Sequence, residues 1–539
     1  MSSGASGSTG PLARSVAEVN PLPQSSVRGT RHLTAAADHL AARAGDQIYA
    51  AGGNAVDAAI ATNAAIAVVG PHLCGLGGDL FALIHTGGDV VALNSSGRAG
   101  SGADPNQLRA EGHTTMPFRH DIRTVTVPGC VDGWIALHER YGSLPMTDIL
   151  APAIDLAEQG FPASPLLVGA ARRLDEAGRQ QLAELADQAR RPGDLVRRPG
   201  VGRALRAIAN EGRAGFYEGE FGDGLLALGD GLYSRSDLAT SHADWVDPLT
   251  ATMFGVDVHT IGPNSQGYLI LGGGIAADPL DLPDDPDDER WAHLLVEAAK
   301  VAGYDRIDVL ADTADGEELL TAIRERRHLL DTERASDYSV ASGAGDTTYL
   351  CTAQVDGMAV SLIQSNASGF GSWLAEPNTG INLHNRGLGF NLRPGHPAEF
   401  GPGRRPPHTL SPAVATRDGE LVSVFGTMGG DAQPQILLQL AARLFHHGHS
   451  PAAAVNAPRW GLSGAATGFD TWDDPGRQIV DIEGHAPASW TRLGERGHDV
   501  RRLADYDSAF GHAHAIVATE SGLAGAADPR CRVGAVVGR

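Results

Sequence analysis

The chain has 539 residues, enough for one large α/β unit or for several domains of roughly 100 to 200 residues each. Its 42 Lys+Arg against 64 Asp+Glu give a formal charge of −22, which excludes a nucleic-acid binder that works by counterion release from a basic face. Hydrophobic residues at 42% and charged residues at 20% exclude a disordered chain, and 69 glycines with 31 prolines call for many turns and close backbone approaches, as in an enzyme with loop-built sites.

Residues 1–30 are rich in Ser, Gly and Pro and contain no apolar run of signal-peptide length, so a flexible leader and a cytoplasmic protein are expected. No stretch approaches the 18 or so uninterrupted apolar residues of a membrane span. The segment after Gly52-Gly53-Asn54 reads as an Ala-rich helix that stops before Gly70-Pro71. Gly75, Gly77 and Gly78 follow. They resemble a phosphate cradle, but they come after a helix and before a strand, the reverse of a dinucleotide loop. From Leu137 to about Asn210, and again over residues 289–305, apolar spacing of three to four predicts helices. The acidic loop between Asp278 and Arg290 lacks the mid-loop Gly and terminal Glu of an EF-hand and reads as solvated.

After Glu333 a small, polar stretch, ASDYSVASGAGD, leads into two strands around the Val355-Asp356-Gly357-Met358 turn. The remainder alternates strands (LVSVFGT, HAHAIVAT) with one clear helix, AQPQILLQLAARLFHHG, and no repeat of 20 to 50 residues is present. Cys74, Cys130, Cys351 and Cys531 form no CxxC pair, HExxH is absent, and the histidines show no ligand spacing, so neither a metal nor another cofactor is expected. A nucleophile elbow is also missing, because Ser342 and Ser368 lack the strand-turn-helix setting.

One route to a nucleophile remains. Thr347 stands where the polar linker becomes a strand. If the preceding peptide bond is cut, its new α-amino group, with a reference pKa of about 7.7 to 8.0, can act as base for its own hydroxyl. Position alone leaves Thr347 as one strand threonine among many.

Longer motifs single it out. AGGNAVDAAIATNAAIAVVGPHLCGLGGDLFALI, VTVPGCVDGWIALHERYGSLPMTDILAPAIDLAEQGFP, GDTTYLCTAQVDGMAVSLIQSNASGFGS, NAPRW and AADPR resemble the γ-glutamyltransferase family in the same order and spacing, from about Ala35 to about Gly534. The resemblance implies an α/β (α+β) chain with the four-layer αββα N-terminal-nucleophile hydrolase fold. It also implies self-cleavage between Asp346 and Thr347 into a large segment 31–346, behind the leader, and a small segment 347–539. These two fragments of one precursor would be each other's partners, as one heterodimer or as a dimer of heterodimers. Further, it implies that Gly429 and Gly430 supply an oxyanion hole and that Ser365 takes the place of the family's second threonine beside the nucleophile.

The resemblance weakens in the pocket. The family's carboxylate-gripping Arg corresponds to Ser96, with Arg98 two residues on and on the same face if the segment is extended. Its ammonium-binding Asp corresponds to Gly389, the Gln before it to Arg386, and its Ser-Ser pair to His408-Thr409. An acid is lost and a cation gained. Arg98, Arg386, His408 and Thr409 are therefore expected to bind a small amide whose acyl group carries an anion and no α-amine. Among family members the resemblance leaves open a conventional glutathione hydrolase, an acylase, an oxamate hydrolase, a C–C bond hydrolase of alkylproline biosynthesis, and a non-catalytic scaffold.

Overall fold

The computed structural model describes residues 23–337, 345–463 and 478–539. Most of the predicted leader, much of the linker before Thr347 and Ser342 lie outside them. Two seven-stranded antiparallel sheets form the centre. One runs, in spatial order, Ala535–Gly538, His32–Ala36, Asp346–Gln354, Ala359–Ala367, Asp79–Thr86, Asp89–Ser95 and Asp244–Val246. The other runs Val27–Gly29, Gly522–Ala526, Ala513–Thr519, Glu420–Thr427, Ala413–Arg417, Val256–Thr260 and Leu249–Met253. Residues 27–29 pair with residues 523–525, so the leader expected over residues 1–30 ends before a strand that belongs to the sheet.

Alternation along the strands explains the layers. Leu33, Phe81, Leu83, Tyr349, Cys351 and Ile363 from the first sheet meet Val414, Val424, Ile516 and Leu523 from the second in one buried cluster. The outward residues of the first sheet, such as Ala82, Ile84, Leu350 and Leu362, share one buried cluster with helix Ala55–Val69, and helix Met146–Gln159 packs on that helix in turn. Those of the second, such as Val258, Ala415 and Phe425, share a cluster with helices Tyr268–Ala277 and Gln433–Ala441, on which helix Glu289–Gly303 packs in turn. The result is helix, sheet, sheet, helix, the expected αββα order. Among the described residues no helix is long and apolar enough to cross a membrane.

The Ala-rich helix, Ala55–Val69, is buried along its whole length, which only a run of small residues permits between a sheet and neighbouring helices. Asn54 caps it by accepting from the Val56 and Asp57 amides. The glycine cluster after it is a packing device. A Cβ on Gly77 would stand 2.3 Å from the Asn382 carbonyl oxygen, and one on Gly78 would stand 2.4 Å from that of Ser365. This loop is thereby pressed against the strand that carries Ser365.

Candidate active site

Strand Asp346–Gln354 opens with Asp346 opposite Ala367 and Thr348 opposite Gln364, and the register shift between them falls on Thr347. A bulge of this kind re-aims a side chain. The Thr347 hydroxyl, 1% exposed, donates to Ser365 Oγ at 3.0 Å. Ser365 in turn donates to the carbonyl oxygen of Asp346 at 2.8 Å. Its oxygen also accepts from the Ala367 amide at 2.8 Å and from Arg386 Nη2 at 3.3 Å. Three donors, one of them cationic, thus share a single hydroxyl oxygen, which strengthens the Ser365 O–H as a donor to the carbonyl.

Gly429 and Gly430 follow the strand Glu420–Thr427 with φ of 144° and 55°, a conformation that admits glycine most readily. The chain just before Thr347 lies on this pair, since a Cβ on Gly345 would be 3.0 Å from Gly430 Cα. Gln266 Nε2 bridges the carbonyls of Thr409 and Gly430, each at 2.9 Å. The Asp346 side chain lies against Gly369. Burial pushes its carboxyl up, while Arg173, the Gly369 amide and Arg119 pull the other way.

Arg386 turns inward. It is fully buried, with Nη1 on Thr409 Oγ1 at 3.2 Å and Nη2 on Ser365. Burial lowers its pKa to about 10 against the attraction of Asp79 and Asp431, so it remains a cation at neutral pH. Thr409 is therefore linked to Ser365, and so to Thr347, through Arg386. His408 belongs to a layer behind it, with Nε2 3.1 Å from Asp79 Oδ2 and its ring edge-on to Phe81. Burial first, then Arg386, drives its pKa down to about 3, so His408 is a neutral donor to an ionised Asp79. His384 Nδ1 stands 3.6 Å from the same carboxylate, which also accepts from the Gly97 amide.

Arg98 is not joined to this cluster, and the expectation of an anion clamp there is corrected. Its guanidinium is a third exposed and pairs with Asp244 at 2.9 Å. The alternation that would have turned it inward ends at Ser95, because Ser96 folds back to donate to Asn94 Oδ1 at 2.7 Å. Arg405 is the cation that reaches the buried side of this segment, donating from Nε to the Ser96 carbonyl at 2.9 Å.

Four residues of this neighbourhood escaped sequence reasoning. Asp79 and Asp431 each follow a glycine pair that had drawn attention for its glycines alone. His384 and Arg306 sit in no motif. Arg306 is 2% exposed and pairs with Asp431 at 2.9 Å, directly behind Gly430. Of the groups that could hold a metal, the described residues gather one, His293, Glu297 and His498. There the Lys300 ammonium, 3.0 Å from Glu297 Oε1, already supplies the positive charge.

A four-layer αββα fold with a threonine at the start of a central strand, backed by a hydroxyl and a glycine pair, defines the N-terminal-nucleophile hydrolase class. Within it this chain belongs to the γ-glutamyltranspeptidase family, whose profile matches residues 41–538, and it is an enzyme of that type. It is 37% identical to the oxamate amidohydrolase proenzyme of Klebsiella pneumoniae, over 93% of this chain and 97% of that one. It is 34% identical to the glutathione hydrolase-like YwrD proenzyme of Bacillus subtilis, over 94% and 98%. The cephalosporin acylase of Bacillus halodurans superposes with a TM-score of 0.87 at 33% identity, covering 98% of this chain and 99% of that structure.

Proposed function

We propose that this chain is a proenzyme that cuts itself between Asp346 and Thr347 and then hydrolyses small amides whose acyl group carries a carboxylate. The observation that carries the first half is the path from Thr347 Oγ1 through Ser365 Oγ to the Asp346 carbonyl oxygen. The Thr347 oxygen adds to the Asp346 carbonyl carbon, whose oxygen is polarised by the Ser365 O–H. Collapse moves the acyl group from nitrogen to oxygen, the amine takes up the hydroxyl proton, and water cleaves the ester to leave the Asp346 carboxylate and a free Thr347 amine. Gly429 and Gly430 are then free of the upstream chain and offer backbone N–H groups to a substrate oxyanion. The α-amine takes the proton from Thr347 Oγ1, the acyl-enzyme forms, and water releases it. Water as the acceptor is in line with the amidohydrolase and acylase names of the relatives.

The second half rests on Arg386, a buried cation beside the nucleophile. An ammonium brought next to it would meet like charge, whereas a carboxylate is attracted. The similarity to an oxamate amidohydrolase supports a small anionic acyl group, and the similarity to a glutathione hydrolase-like protein supports the second reading, a γ-glutamyl substrate. Four reduced, buried cysteines fit a reducing compartment, the cytoplasm, which fractionation of the producing cells tests.

Denaturing mass spectrometry should find two chains, the smaller beginning at Thr347, and one intact chain for Thr347→Ala. An active preparation that stays intact would refute self-processing. For the substrate, kcat/KM of glutaryl-anilide should exceed that of γ-glutamyl-anilide by at least tenfold, about 1.4 kcal/mol, and the margin should shrink in Arg386→Ala. Equal or faster turnover of the γ-glutamyl compound would establish the second reading.

A further inference from the structure

Asp79 opens the strand Asp79–Thr86 and stands directly opposite Ser365 in the pairing with Ala359–Ala367. Residues opposite one another in an antiparallel pair share a face of the sheet, so a carboxylate is set beside the hydroxyl that bonds Thr347. The carboxylate is fully buried, and among the described residues three donors meet it. Oδ1 accepts from the Gly97 amide at 2.9 Å and from the Gly129 amide at 3.4 Å, and Oδ2 faces His408 Nε2 at 3.1 Å. His384 adds no fourth. Burial lowers its pKa, and its Nε2 donates to the Thr126 carbonyl at 2.9 Å, which leaves a bare Nδ1 on the side of Asp79.

One tautomer of His408 satisfies these contacts. The Leu410 amide donates to its Nδ1 at 3.3 Å, so the ring hydrogen sits on Nε2 and points at Asp79. Thr409 lies between the two residues so joined. Its hydroxyl accepts from Arg386, which also donates to Ser365, and its carbonyl shares Gln266 Nε2 with the Gly430 carbonyl. Of the charges around Arg386, Asp79 attracts it most strongly, ahead of Asp431. We propose that Asp79 is a positioning residue for the reaction of Thr347: acting through His408, it holds segment 408–410 in the arrangement that brings Arg386 to Ser365 and Gln266 to the glycine pair. The assignment rests on Thr347 as the nucleophile proposed above and adds the residue that aligns its neighbours.

Asp79→Asn keeps the shape and removes the match. Its amide oxygen goes to the two backbone amides, which turns its NH2 toward the His408 hydrogen, and moving that hydrogen to Nδ1 would set it against the Leu410 amide. Conversion of the precursor into two chains needs no added substrate, so its rate reads alignment apart from substrate binding. Each variant is measured at a temperature where circular dichroism shows it folded. Asp79→Asn and His408→Leu should each cleave at least tenfold more slowly than the wild type, about 1.4 kcal/mol. The double variant should stay within about threefold of the slower single one, because two losses on one path do not add. An Asp79→Asn rate equal to that of the wild type would overturn the role, and so would a double variant in which the two losses multiply. The His408 ring gives a second readout, identified in 15N-histidine spectra as the signal absent from His408→Leu. Its hydrogen should sit on Nε2 in the wild type and be displaced in Asp79→Asn, whereas the same tautomer in both would overturn the assignment. Should Asp79→Asn not fold, Thr409→Val cuts the path beyond His408 and leaves the carboxylate and both rings in place. Cleavage should again slow at least tenfold, and an unchanged rate would overturn the path. A wild-type precursor that stays intact would instead refute Thr347 as the nucleophile, and the role of Asp79 would fall with it.

Discussion

Ser365 is the residue on which the proposed self-processing turns. It bonds the Thr347 hydroxyl by one hydrogen bond and the Asp346 carbonyl by another, so one substitution separates packing from chemistry. Ser365→Ala removes the donor from a developing oxyanion, a loss on the order of 10²- to 10³-fold in rate where single donors have been deleted. Cleavage followed on denaturing gels should slow by at least 100-fold, about 2.7 kcal/mol, whereas Ser365→Thr, which keeps the hydroxyl, should stay within tenfold of the wild type. Equal cleavage in the alanine variant would move the donor role elsewhere. Thr347, Ser365 and the glycine pair, the group proposed above, were singled out in the sequence by motifs with fixed spacing, and the structure sets Ser365 against Thr347. Arg386 was legible as a charge, and its burial gives that charge a direction. Arg98 was misread because a single serine hydrogen bond ended the strand one residue early. Arg306 left no trace, since its importance depends on which loop it faces across the fold.

The elements themselves follow the local pattern closely: the Ala-rich helix, the hairpin around Asp356-Gly357 and the helix from Gln433 all form where apolar periodicity and turn residues predict them. Their partners do not. Strand Asp346–Gln354 lies between Ala359–Ala367 and His32–Ala36, and nothing local announces the second neighbour. Equally hidden is the clamp on the chain that leads toward Thr347. Glu297, on helix Glu289–Gly303, accepts from the Ser336 amide at 3.0 Å and from Lys300 at 3.0 Å, and Lys300 donates to the Ser336 carbonyl at 3.1 Å. The Ala335 amide bonds the Arg496 carbonyl at 2.8 Å. Both charges of the pair are nearly inaccessible to water. Glu297→Gln would leave a buried ammonium without its counter-charge, at a cost of about 3 to 5 kcal/mol. Chemical denaturation should report that loss together with slower self-cleavage. Adding Lys300→Met should restore most of the stability, because the second substitution removes the stranded charge. A double variant no more stable than Glu297→Gln would show that the helix, and not the ion pair, carries the effect.

At the scale of the whole molecule the two prospective fragments are interleaved. The first sheet takes Asp346–Gln354 and Ala359–Ala367 from downstream of the cut and sets them between strands from upstream. The proposed cleavage after Asp346 would therefore break one covalent bond and no layer, and the fragments should elute as one species from a sizing column until denatured. The same layers bury an unusual set of neutral histidines. Burial, the largest influence at each, holds His72, His408 and His512 at about 3 and His242 and His514 at about 4, against an ordinary value near 6.5. The unfolded chain binds a proton at each as pH falls through about 6.5, and the folded chain does not, so stability decreases with falling pH across that window. Burial raises the Asp528 carboxyl, but Arg459, Arg530 and the Ala513 amide outweigh it and hold the group below the carboxylate range, so its contribution is lost only below about pH 4. Melting temperature at constant ionic strength should thus hold steady above pH 7 and decline between about pH 6.5 and 4.5. His72 isolates one unit of this slope. Among the described residues neither ring nitrogen has a hydrogen-bond partner, so His72→Leu removes a titration without breaking a bond seen there. The variant should lose about one proton from the linkage, about 1.4 kcal/mol less decline per pH unit below 6.5, and be the more stable of the two near pH 5. A wild-type melting temperature that is flat from pH 7 to 5, or an unchanged slope in His72→Leu, would place acid sensitivity outside the buried histidines.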